Sequence, residues 1–213
     1  MLVRLASICL LFVAVRAIGS PPERFVRKAE PVTSIRLHCL MEALNAINLS
    51  PEPVPRAELQ LYFECFPSSY VEFVDLFGYE MIGVSAVFAP LFRDGEQYFA
   101  VLPRVRRVVA EDRYVGKLVG IAEGASWQAD SVNELKQELG TLLRESPQLV
   151  LREVDKRGSD FADDFWRFYF SGPHGYSGEA EDLARRSCSR AFESHACDGL
   201  RRSLQLPHSP DDH

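Results

Sequence analysis

The sequence predicts a mainly α fold, either a multi-helical bundle or a short irregular α-solenoid. Three observations carry that prediction. Apolar residues recur at three- and four-residue spacing through most of the chain. Pro, Gly and Ser clusters interrupt them at helix-length intervals. The composition of the 213 residues, 46% hydrophobic and 25% charged, is that of a chain able to bury a core as one domain. No fixed repeat period is evident.

The first stretch, "MLVRLASICLLFVAVRAIGS", reads as an export signal over residues 1–17. Arg4 precedes the apolar run Leu5–Val15, and Val15-Arg16-Ala17 places small residues around a cleavage point. The run is about half the ~20 residues that a membrane span needs, so no membrane span is expected after cleavage. Residues 18–33, rich in proline and charge, read as a flexible lead-in. A single helical domain is expected over 34–204, with 205–213 a loose tail.

Ser34 is the expected N-cap of the first helix, in which Ile35, Leu37, Leu40, Met41, Leu44 and Ile47 share helical spacing. "SPEPVP" (50–55) ends it, because its prolines cannot continue a helix. A second helix runs from Arg56 to about Phe66, stopped by Pro67, and a third, capped by Ser68 or Ser69, ends at Gly78. Residues 79–104 are ambiguous. "MIGVSAVFAPLF" and "EQYFAVLP" suit a small β-hairpin around 81–102 turning at "RDGE", but helices punctuated by Pro90 and Pro103 fit as well. Helical spacing returns over Arg106–Ala122, and Asp130 or Ser131 starts "SVNELKQELGTLLRES". Pro147 opens a short helix that ends at Gly158-Ser159, which also caps the aromatic segment. "GEAEDLARRSCSRAFESHA" (178–196) carries acids first and arginines later, which suits a helix dipole.

Once Cys9 leaves with the signal, four cysteines remain, and an exported chain keeps disulfides. Cys39 and Cys65 are equidistant from the proline loop, hence in register across an antiparallel helix pair. Cys188 and Cys197 would lie ~13 Å apart in one continuous helix, beyond the ~7 Å limit for a bridge. Either the helix breaks near Glu193–Ala196, which allows a local loop bridge between them, the preferred reading, or each pairs elsewhere.

The segment "FADDFWRFYF" puts six aromatic residues into ten positions. On a helix they cover about 200° of the circumference, which predicts a buried central element. The functional alternative is an aromatic groove for a sugar chain or peptide, and that would need exposed rings. Gly172-Pro173-His174-Gly175 then reads as an exit turn, and His174 is its one side chain with catalytic potential. Asp163 and Asp164 read as a helix start. Trp127 reads as a staple onto the next helix, or else joins Asp130 and Asn133 in a polar-rimmed patch for a partner. His174, Cys188, His195 and Cys197 match no common zinc-ligand spacing. No metal or other cofactor is expected. A phosphate loop, a G-x-S-x-G elbow and H-E-x-x-H are all missing, which leans away from an enzyme.

The formal net charge of −6 speaks against nucleic acid and permits a basic protein partner. Losing residues 1–17 removes Arg4 and Arg16 and no acid, taking the charge from −6 to −8.

Three stretches, "FPSSYVEFVDLFGY" (66–79), "WQADSVN" (127–133) and "FWRFYFSGPH" (165–174), together resemble a set of small exported bacterial proteins of unassigned activity. The family pattern has Asp where this chain has Ser171. The resemblance implies a protein outside the cytoplasm and brings no catalytic residue with it.

The function expected from these observations is a non-enzymatic periplasmic or secreted binding protein, such as an immunity protein that neutralises an envelope-targeting toxin. The alternative is an envelope hydrolase or glycan-binding enzyme that uses His174 with a carboxylate such as Asp164 and lines its groove with the aromatic segment. The oligomeric state is left open.

Overall fold

A computed structural model of the chain describes residues 31–82, 85–126, 131–171, 182–183, 186–188 and 194–205. The expected signal (1–17), nearly all of the lead-in and all but the first residue of the tail lie outside these residues. The described chain is mainly α. Helices α1 (Pro31–Leu49), α2 (Arg56–Cys65) and α3 (Tyr70–Phe77) lead into an antiparallel hairpin of β1 (Tyr79–Ile82) and β2 (Ser85–Phe88). Two short helices follow, α4 (Gly95–Phe99) and α5 (Leu102–Arg106). Then come α6 (Glu111–Ile121), α7 (Ser131–Glu145), α8 (Pro147–Asp155), α9 (Ser159–Phe170) and α10 (His195–Gln205). One contiguous apolar core, from Leu40 to Leu200, runs through all the longer helices.

The helix starts show where side chains decide and where they do not. Ser34 does not cap α1. The helix begins one turn earlier, at Pro31, whose missing N–H has no intrahelical acceptor to lose at that position. Ser69 does cap α3, its hydroxyl accepting from the Glu72 amide at 3.3 Å, while the Glu72 carboxylate accepts from the Ser68 amide at 2.8 Å. Ser159 does not cap α9. That place falls to Gly158 at φ +88°, a left-handed backbone conformation that glycine adopts without strain.

α1 and α2 form the expected antiparallel pair. A disulfide joins Cys39 to Cys65 with Cα atoms 5.6 Å apart. The open carbonyls at the end of α2 are met by two cations from other helices. Arg36 of α1 donates to the carbonyls of Glu64 (3.3 Å) and Phe66 (3.1 Å), and Lys117 of α6 donates to that of Phe63. Arg36 also pairs with Glu72 at 3.0 Å. One arginine thereby ties α1, α2 and α3 together.

The expected small hairpin is present, but it occupies 79–88, the start of the expected span of 81–102, and "RDGE" is not its turn. The strands pair Tyr79 with Phe88 and Ile82 with Ser85, leaving two residues between them. The pairing continues into the body through Ala89 N–H to Gly78 O and Leu91 N–H to Leu76 O, each 2.9 Å. Beyond Leu91 the buried residues Tyr98, Phe99, Leu102 and Val105 recur at helical spacing, which explains why α4 and α5 take that stretch. A return strand there would turn half of them to water.

The aromatic helix α9 is the core's central element. Phe161, Phe165, Trp166, Phe168 and Tyr169 are buried, and Phe170 is half-buried. α10 packs on it, anchored by the Trp166 indole N–H donating to the Ala196 carbonyl at 2.7 Å. Ser194 caps α10, accepting from the Cys197 amide at 3.3 Å. Asp155 supports that cap by accepting from the Ala196 amide (2.8 Å) and from the Ser194 hydroxyl (2.9 Å). The helix restart at His195 lets Cys188 and Cys197 bridge with Cα atoms 5.5 Å apart.

Candidate interaction surface

The hairpin groups Met81, Ile82, Val87 and Phe88 as exposed apolar residues on one small element; Ile35, Met41, Leu49, Leu61 and Val71 are exposed on α1, α2 and α3. From Leu76 to Phe92 the chain carries a single charged residue, Glu80. Antiparallel register puts directly opposed residues on one face, so Tyr79, Phe88, Met81 and Ala86 share one side and Glu80, Val87, Ile82 and Ser85 the other. Neither side is covered. Met81 and Phe88 are 56% and 47% exposed on the first, and Ile82 and Val87 are 60% and 52% exposed on the second.

The base of the hairpin is held by ring contacts where its blade is bare. Tyr79, Phe88 and Phe92 form an aromatic trio, with ring centroids 4.6 Å apart for Phe88–Phe92 and 5.9 Å for Tyr79–Phe92. The Ala89–Gly78 bond marks a hydrogen-bonded position in the ladder. Alternation then turns the N–H and C=O groups of Tyr79, Met81, Ala86 and Phe88 outward. Among the described residues this sheet has only two strands, so those outward groups have no strand partner.

A cleft of about 300 Å³ lies elsewhere, between the start of α3 and α6, lined by Ser69, Tyr70, Gly116, Lys117, Gly120 and Arg157 among others. Its cations are occupied by the fold. The Lys117 ammonium serves the end of α2 and sits 4.6 Å from the centre of the Phe63 ring. Burial, reinforced by the nearby Arg36 charge, pushes it down to about 8. Arg157 donates to the Gly116 carbonyl at 3.1 Å, meets Glu123 at 3.5 Å and lies over Phe161. Gly120 is what lets it pass, because a Cβ there would come within 3.0 Å of the guanidinium.

A smaller cleft of about 170 Å³ lies between α7 and α9, beside Tyr169 and Phe170. Nearby, the Lys136 ammonium donates to the Ser171 carbonyl and to its hydroxyl (3.1 Å), and stands 5.1 Å from the centre of the Phe168 ring. The residue is only 2% exposed, and burial pushes its ammonium down to about 7. Ser171 thus accepts from a buried cation through both its carbonyl and its hydroxyl oxygen.

The residues singled out from the sequence fare unequally. Trp127, Asp130 and His174 lie outside the described residues. Asn133, half-buried, stands in the first turn of α7. Asp164 is exposed and paired with Arg167 at 2.9 Å along its own helix. Burial of the α9 rings removes the aromatic groove. Cys188 and Cys197 are spent on each other, so they do not ligate zinc with His195 and His174. Among the described residues, no group of three His, Cys, Asp or Glu side chains is placed to hold a metal ion, and no helix is long and apolar enough to cross a membrane. The feature that sequence reasoning missed is that the hairpin is bare on both sides.

No protein-family model, curated protein or solved structure matches the chain.

Proposed function

We propose that the protein is an exported, non-enzymatic binding protein that inhibits a protein partner, as an immunity protein neutralises a toxin acting on the cell envelope. The observation that carries this reading is the hairpin, which exposes Met81, Ile82, Val87 and Phe88 above a cluster of aromatic rings. Soluble surfaces seldom leave apolar side chains grouped in this way unless something binds them. Two disulfides support an oxidising compartment, in keeping with the signal-like residues 1–17 and with the resemblance of three stretches to small exported bacterial proteins. The negative charge supports a basic partner, whose approach it would accelerate.

The test is capture with the oxidised protein, residues 18–213, from the producing organism's own secreted proteins at low and moderate salt. One partner whose lytic or toxic activity falls on binding is the expected result. Retention of nothing at either salt would refute the proposal.

A further inference from the structure

We infer that the hairpin enters an apolar, basic-rimmed cleft of a partner protein and there pairs one of its open edges with a strand of that partner. This rests on the binding-protein reading above and specifies how the partner is held. Three features lead to it. Apolar side chains project from both faces of the blade, so a flat partner would cover only half of them, whereas a cleft encloses both. The outward N–H and C=O groups of Met81, Ala86 and Phe88 have no strand partner among the described residues, and burying them unpaired would offset the gain from the side chains. A strand edge in the cleft supplies the missing bonds, as in other complexes formed by strand addition.

Charge selects the rim. Between residues 79 and 96 the chain carries three acids, Glu80, Asp94 and Glu96, against one base, Arg93. A partner with lysines or arginines around the cleft mouth complements that balance, and an acidic one is repelled.

Two other occupants fit less well. Two hairpins meeting in a homodimer would bring two net-acidic stretches together, each with Glu80, Asp94 and Glu96 against Arg93, and like charge opposes that pairing. Lipid would accept the side chains, but hydrocarbon offers nothing to the open backbone edge.

The test uses defined probes and the isotope-labelled protein, residues 18–213, followed by amide NMR. The first probe is a ten-residue strand peptide of alternating valine and threonine with lysines at both ends. The second replaces its lysines by glutamates, and the third is the lysine peptide with alternate backbone amides methylated. Phosphatidylethanolamine–phosphatidylglycerol vesicles form the lipid arm, and sedimentation of the protein alone forms the dimer arm. The lysine peptide is expected to bind about tenfold more tightly than either variant peptide. It should shift the amides of Tyr79 and Met81 or those of Ala86 and Phe88, and it should fail against Ile82→Asp/Val87→Asp. Equal binding of the methylated or the glutamate peptide, no peptide binding, vesicle association, or dimerisation through the hairpin would each overturn the inference. Capture of the same secreted partner by the wild type and by Ile82→Asp/Val87→Asp would overturn the hairpin mode and leave the binding-protein reading standing. Capture by neither would overturn both.

Discussion

Trp166 and Gly199 lie in direct contact across the α9–α10 interface: a Cβ added at Gly199 would stand 3.1 Å from the indole Cδ1. The same Cβ would meet Asp163 Oδ1 at 3.1 Å and the backbone carbon of Ala162 at 3.2 Å. The close approach lets the indole N–H reach the Ala196 carbonyl and lets Asp163 reach Arg202 at 2.8 Å. The last helix is therefore docked by a residue without a side chain.

Gly199→Ala should lower stability. Alanine gains ~1 kcal/mol of helix propensity, but overpacking a tight contact costs about 1–3 kcal/mol. The backbone of Ala162 cannot yield as a flexible side chain would, so the packing cost prevails. Thermal denaturation should show Tm falling by a few degrees. An unchanged or raised Tm would mean that α10 slides away freely.

Removing the Cys39–Cys65 bridge by Cys39→Ala/Cys65→Ala should cost on the order of 3 kcal/mol, because it ties residues 26 apart in sequence. The shorter Cys188–Cys197 loop should cost somewhat less on the same argument. Urea denaturation of the two double variants gives the order directly.

Stability should rise with pH from about 7 towards 10. Burial holds the Lys136 ammonium down at about 7, and an unfolded lysine titrates near 10.4, so over that window the unfolded chain binds the extra proton. The penalty is complete below pH 7 and is relieved as pH rises. Lys117, held at about 8, adds a smaller effect of the same sign. Tyr62 and Tyr114 act oppositely above about pH 10, where the unfolded phenol ionises and the buried one does not. Lys136→Met should flatten most of the rise, by on the order of 2–3 kcal/mol between pH 7 and 9, when urea midpoints are compared. A slope unchanged in the variant would contradict this account of Lys136.

The helical frame was legible because its signals are local. Periodic apolar residues, the proline loop between α1 and α2, Ser69 ahead of α3 and Pro147 ahead of α8 each specify an element within a turn or two of sequence. The Cys39–Cys65 pair followed from symmetry about that loop. Signals that depend on distant residues were not legible. Asp155 completes the α10 cap from another helix, and Gly199 reads as an ordinary helix weakener until Trp166 lies against it. The hairpin's exposure was hidden for a different reason. Apolar alternation normally marks burial, and nothing in Met81, Ile82, Val87 or Phe88 by themselves says that the rest of the fold turns away from them.

The most direct measurement is a comparison of wild type with Ile82→Asp/Val87→Asp for thermal stability and for capture and neutralisation of a secreted partner. Both positions are exposed and outside the core, so the helical body should stay folded, with a loss of no more than about 1–2 kcal/mol from placing carboxylates at 82 and 87 beside Glu80. The account predicts that the wild type retains one exported protein and suppresses its activity, and that the folded variant does neither. A variant that captures and neutralises as the wild type does would show that the hairpin is not the binding element.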